Sequence, residues 1–95
     1  MNALLGNSKI YVYHDSWHEE DNVVIIRKKK GDIIILNPLA SSMWKMIQDE
    51  EWLIDTFNRE CEKRLGVKNK EIAIEFIEKM VQEGIISTRD VELFQ

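Results

Sequence analysis

Catalysis by a nucleophile needs a base within reach and a group that orients the base. Cys61 is the one cysteine of this chain. It shares an apolar helical stripe with Ile54, Phe57 and Leu65, where a free thiol behaves as a small hydrophobe. The only histidines, His14 and His18, lie far from it in sequence. With Asp15, Glu19 and Glu20 they can be drawn as a metal site. Two His without Cys give poor zinc spacing, however, and a polar hairpin loop facing water is the simpler reading. Asp49, Glu50 and Glu51 read as a helix start, which the helix dipole makes favourable for acids, before they read as a catalytic pair. The four glycines are isolated, so no loop can cradle a phosphate. The expectation is a protein without catalytic residues, metal or cofactor.

Ninety-five residues suffice for one core. At 44% hydrophobic and 32% charged, the composition is that of a globular domain. No apolar run approaches the ~20 residues of a membrane span. The opening "MNALLGN" lacks the basic start and apolar stretch of a signal peptide. A lone cysteine excludes an internal disulfide, and a cytoplasmic location is expected. A net charge of −4 disfavours nucleic acid unless a local basic patch overrides it.

Strands fill the first third. "KIYVYHD" (Lys9 to Asp15) and "NVVIIRKK" (Asn22 to Lys29) are rich in β-branched and aromatic residues. The stretch "SWHEED" between them suits a loop, and Gly31-Asp32 suggests a tighter turn into a third strand, Asp32 to Leu36, at one edge. Asn37 then suits a helix N-cap and Pro38 the first helical position. Ala40, Met43, Trp44 and Ile47 form the stripe of that first helix. A second is expected over Glu50 to Leu65, ended by Gly66, and a third from the Asn69 cap to Glu83, ended by Gly84. The fold class is α+β: an N-terminal three-stranded antiparallel sheet followed by a three-helix bundle, the layout of a winged helix-turn-helix with the wing first. Residues 1–8 are expected as a flexible start, 9–87 as the domain and 88–95 as a tail.

A winged helix suggests DNA, with the third helix in the major groove and the basic run Arg27 to Lys30 on the backbone. Charge opposes this. From Asn69 to Glu83 the acids Glu71, Glu75, Glu78 and Glu83 outnumber Lys70 and Lys79, and phosphates repel such a helix. The same helix is unusually apolar. Ala73, Phe76, Ile77, Met80 and Gly84 share one side, Ile72 widens it on one flank, and Ile74 and Val81 widen it on the other. The arc approaches about 200°, more than a surface helix needs. Burial on both sides accounts for it; so does an apolar groove lined by Ile74, Ile77 and Val81 with Lys70 at its end. The third strand alternates Ile34 and Leu36 on one face with Ile33 and Ile35 on the other. An edge with two apolar faces needs a cover. A peptide that adds as a further strand and sends alternate side chains into the groove would supply one. Simple burial of both sheet faces, or a homodimer that pairs the two edges, would supply another.

"GDIIILNPLASSMWKMI" resembles the strand, Leu-Asn and helix signature of PqqD-like proteins, here Leu36, Asn37 and Trp44. "EFIEKMVQEGII" (Glu75 to Ile86) is similar to the closing helix of that family, and "CEKRLGV" (Cys61 to Val67) to the end of its second helix. The similarity covers about Val23 to Ser87. One departure is visible: the family's acidic-Gly turn after the first helix is replaced by "QDEEW". The resemblance implies a recognition element for ribosomally made, modified peptides. Such domains bind the leader of a precursor and present its core to a modifying enzyme, such as a radical S-adenosylmethionine enzyme or a leader peptidase. The implied site is Asp32, Ile33, Ile34, Ile35 and Leu36 with Lys70, Ile74, Ile77 and Val81. Arg27 to Lys30 would then attract an acidic leader or simply face water.

Overall fold

The structure, a computed structural model, describes residues 8–13 and 15–90. The elements are β1 (Ser8–Val12), β2 (Ser16–Glu20), β3 (Val23–Arg27), β4 (Ile33–Ile35), α1 (Pro38–Asp49), β5 (Trp52–Leu53), α2 (Ile54–Leu65), α3 (Lys70–Gln82) and β6 (Ile86–Asp90). The class is α+β, with a three-stranded antiparallel sheet, three helices and a second sheet that the sequence did not announce.

The first sheet has the order β2-β3-β4 and the second β5-β1-β6. The expected meander is therefore corrected at its first strand. The "KIYVYHD" segment pairs with β6 and β5, and its place beside β3 is taken by β2, in the segment read as a loop. The tight turn is Asp21-Asn22, with φ of 52° and 67°. Two successive left-handed residues make a hairpin turn whose twist matches its strands, and Asp and Asn tolerate that region best among non-glycines. All of β2 is exposed, so no apolar alternation marks it. Tertiary contacts hold it: Trp17 meets Trp44 edge to face at 6.4 Å, and Glu19 bonds Lys45 of α1 at 2.8 Å.

The β3–β4 connection is tighter. Gly31 N–H donates to Lys28 C=O and Lys28 N–H to Asp32 C=O, both at 2.8 Å, with Gly31 at φ 101°. β4 then runs straight into α1. Asn37 Oδ1 accepts from Ala40 N–H at 2.8 Å, and Pro38 opens the helix. Ser41, buried in the first turn, joins strand and helix. Its Oγ accepts from Val24 N–H at 2.7 Å and donates to Leu36 C=O at 3.2 Å, while Leu36 N–H donates to Val24 C=O. The hydroxyl thus stands inside the ladder where β3 and β4 part.

The second helix starts at Ile54, not Glu50. The acids that were expected to open it lie at the end of α1 and in the link that follows, and Trp52–Leu53 forms β5. The "QDEEW" departure is thus where the chain contributes a strand to the second sheet. Trp52 Nε1 donates to Met46 C=O at 2.9 Å, and its ring begins an aromatic series through Phe57 (5.8 Å) to Phe76 (6.3 Å). Gly66, at φ 70°, ends α2 by donating to Glu62 C=O, with Val67 buried behind it. β6 carries order to Asp90, past the expected boundary at residue 87. The core under both sheets is Ile10, Val24, Ile26, Trp44, Phe57, Ile77, Met80 and Ile86 with their neighbours.

Candidate functional site

β4 ends its sheet; no strand pairs with its far side among the described residues. In an antiparallel ladder, alternate residues direct both backbone groups to the same neighbour. Asp32 C=O and Leu36 N–H bond β3 and its continuation, so Ile34 faces β3 as well. Ile33 and Ile35 therefore present their N–H and C=O groups to the open edge. Their side chains are 56% and 69% exposed on the outer face of the sheet. Register places His18, Ile25 and Ile35 in one cross-strand row and Ser16, Arg27 and Ile33 in the next. Together these residues bound a shallow hollow of about 370 Å³.

The inner side of the same edge opens into a cleft of about 380 Å³ between β4, α1 and α3. Its floor is apolar: Leu36, Met43, Phe76 and Met80 are buried there, and Ile72 and Leu39 stand exposed at the rim. Glu75 and Lys79 border it from α3. A backbone edge and an apolar cleft thus share one boundary.

This corrects the face of α3 that was expected to line the groove. At about 100° per residue, Ile74, Val81 and Lys70 lie about 160–200° around the helix from Ile72. Ile77 is 1% exposed and belongs to the core. Lys70 instead borders a polar hollow of about 330 Å³ between α2 and α3, with Asp55, Asn58, Arg59 and Glu62. Of the expected site residues, β4 and its flanks Asp32 and Leu36 border the cleft or its edge, and the α3 set does not. Ile72, Glu75, Phe76 and Lys79 take its place. The sequence displayed both flanks of the wide apolar arc. Which one faces β4 depends on how α3 packs against α2 and β6, and no local pattern encodes that.

Cys61 is fully buried, and burial pushes its thiol up to about 11, so it stays protonated at neutral pH. His18 lies in β2 and contacts Glu20 at 2.8 Å; His14 lies outside the described residues. No cluster of three or more His, Cys, Asp or Glu could hold a metal ion among the described residues. No helix among them is long and apolar enough to cross a membrane. In the basic run, Lys28 reaches Glu83 at 3.2 Å, and Lys29 and Lys30 occupy the exposed turn. Comparison with protein-family models, curated proteins and solved structures finds no significant match to this chain.

Proposed function

We propose that this protein is a non-catalytic adaptor that holds an extended peptide by adding it as a strand to β4. The carrying observation is the juxtaposition at that edge. Ile33 and Ile35 offer unpaired backbone groups, and the apolar cleft beside them can receive alternate side chains. The resemblance of the strand-to-helix segment to PqqD-like proteins names the occupant. It is the leader of a ribosomally made precursor peptide, presented in the cytoplasm to a separate modifying enzyme such as a radical S-adenosylmethionine enzyme or a leader peptidase. In this reading the first sheet and the three helices correspond to a winged helix-turn-helix used for peptide rather than DNA.

The rival reading, a winged-helix regulator, puts α3 in the major groove. The acids Glu71, Glu75 and Glu78 on that helix weigh against it. A homodimer through β4 is the other rival.

The test is a displayed library of random peptides of about twelve residues, selected on the whole protein. Binders should be recovered, and Ile35→Pro should weaken them at least about tenfold. That change deletes one outward N–H at an edge position while leaving the bonds to β3 intact. Binders indifferent to it would sink the reading. So would tight, salt-sensitive binding of duplex DNA, or a stable dimer that Ile35→Pro dissociates.

A further inference from the structure

We infer that the strand received by β4 carries an acidic side chain just C-terminal to its apolar segment, and that Lys29 and Lys30 hold it there. This rests on the strand-addition reading. The observation is where unpaired positive charge lies. Lys9, Lys45, Lys63 and Arg64 each sit within 4.0 Å of a glutamate. Lys28 is turned inward onto Glu83, which ties the turn to the end of α3. Lys29 and Lys30 at the tip, and Arg27 beside them, hold no ion pair among the described residues. Arg59, Lys68, Lys70, Lys79 and Arg89 also stand outside ion pairs among the described residues, but Arg27, Lys29 and Lys30 are the ones that flank the start of β4 in sequence, with Asp32 as the acid among them and Lys79 on the cleft. The turn is a closed one, so their backbone positions are fixed relative to Ile33. Lys29 and Lys30 line a hollow of about 370 Å³ with Tyr13, Lys28 and Gly84, in which Asp15 and Glu83 are the acids.

Direction follows from the sheet. β3 is antiparallel to both neighbours, and parallel ladders are slightly less stable. An antiparallel occupant brings its C-terminal end to the β3–β4 turn. Its order is then alternating apolar residues over the cleft, followed by Asp or Glu against Lys29 and Lys30. At the other end of β4 stands the N-terminus of α1, a fractional charge already capped by Asn37. Two full charges at the turn outweigh it. The occupant's downstream part then leaves the domain past the lysine turn.

The experiment uses binders from the selection above, resynthesised in three forms: as found, with the acid moved to the N-terminal side, and with the acid replaced by Lys. Affinities are read by fluorescence anisotropy at low and high salt. The native form should bind about three- to tenfold better than the others, and salt should narrow the gap. Lys29→Glu with Lys30→Glu should reverse the preference, so that the Lys form binds best. Both residues lie in an exposed turn, and circular dichroism checks that the double variant folds. Binders lost in Ile35→Pro yet indifferent to acid placement and to charge reversal would overturn this inference and leave strand addition standing. Binders untouched by Ile35→Pro, or a selection that yields none, would overturn both.

Discussion

The two sheets are the same size and differ in what they leave uncovered. In β5-β1-β6, Tyr11 projects from the central strand with Lys9 and Arg89 each 5.3 Å from its ring, and Lys9 also bonds Glu51 at 2.8 Å. Cations cover the aromatic surface there, an arrangement worth about 0.5–1 kcal/mol at an exposed site. In β2-β3-β4, Ile33 and Ile35 stand bare beside an unpaired backbone edge. One sheet covers its exposed ring from within the chain. The other leaves apolar side chains and hydrogen-bonding groups open on one strand, a hazard unless a partner covers them. Each sheet has two edge strands, and Leu53 of β5 and Trp17 of β2 are exposed as well; what distinguishes β4 is the greater exposure of Ile33 and Ile35.

Substitutions in both sheets put this difference to the test. The largest expected effect is at the join of β3 and β4. Ser41→Ala leaves Val24 N–H and Leu36 C=O buried without their shared partner, which costs about 1–3 kcal/mol. Thermal unfolding should show a fall in Tm of about 10 °C. Next come the two sides of α3. Ile72→Glu should weaken a selected peptide at least about tenfold. Val81→Glu, on the opposite side, should leave affinity unchanged, and equal losses would mean that the cleft is misassigned. Third, Tyr11→Ala should cost about 1 kcal/mol in urea titration, whereas Ile35→Thr should stay within about 0.5 kcal/mol. If Ile35→Thr costs more than Tyr11→Ala, the bare sheet is no barer than the covered one. The last effect concerns Cys61 and is absent at neutral pH. Well below pH 9.0 its thiol is protonated in both folded and unfolded chains. Between 9.0 and about 11 the unfolded chain ionises first, so stability should decline over that window, and Cys61→Ser should alter the decline. Thiol reagents should label Cys61 only after unfolding.

The existence of the three helices was legible because most of their signals are local: Asn37, Pro38, Asn69 and Gly66 do at their boundaries what their side chains or φ angles dictate. The start of α2 was placed four residues early, since Leu53 offers no side-chain cap there. β3 and β4 were legible from consecutive branched residues. β2 was not, because "SWHEE" carries no apolar alternation and depends on Trp17 reaching Trp44 across the fold. The second sheet was not, because β5 contributes only Trp52–Leu53 and β1 draws its partners from distant parts of the chain. For the site, alternation along β4 put Ile33 and Ile35 on one face and Ile34 and Leu36 on the other, without saying which face is exposed; Ile33 and Ile35 are exposed and Leu36 is buried. The helix side of the cleft was misread by about half a turn, since Ile72 and Val81 are 37% and 39% exposed and equally apolar. Only the packing of α3 distinguishes them.

β4 is three residues long. At about 3.4 Å per residue, its ladder offers a footprint of about 10 Å. β4 gives way to α1 at Pro38, and the Lys28–Gly31 turn closes its other end. Under the proposed strand addition, so short a grip would shorten the dwell time of the bound peptide, since dissociation rates carry most differences in affinity. A carrier that must surrender its cargo to a second protein gains from such a limit. Lengthening β4 would give a tighter clasp and a slower relay.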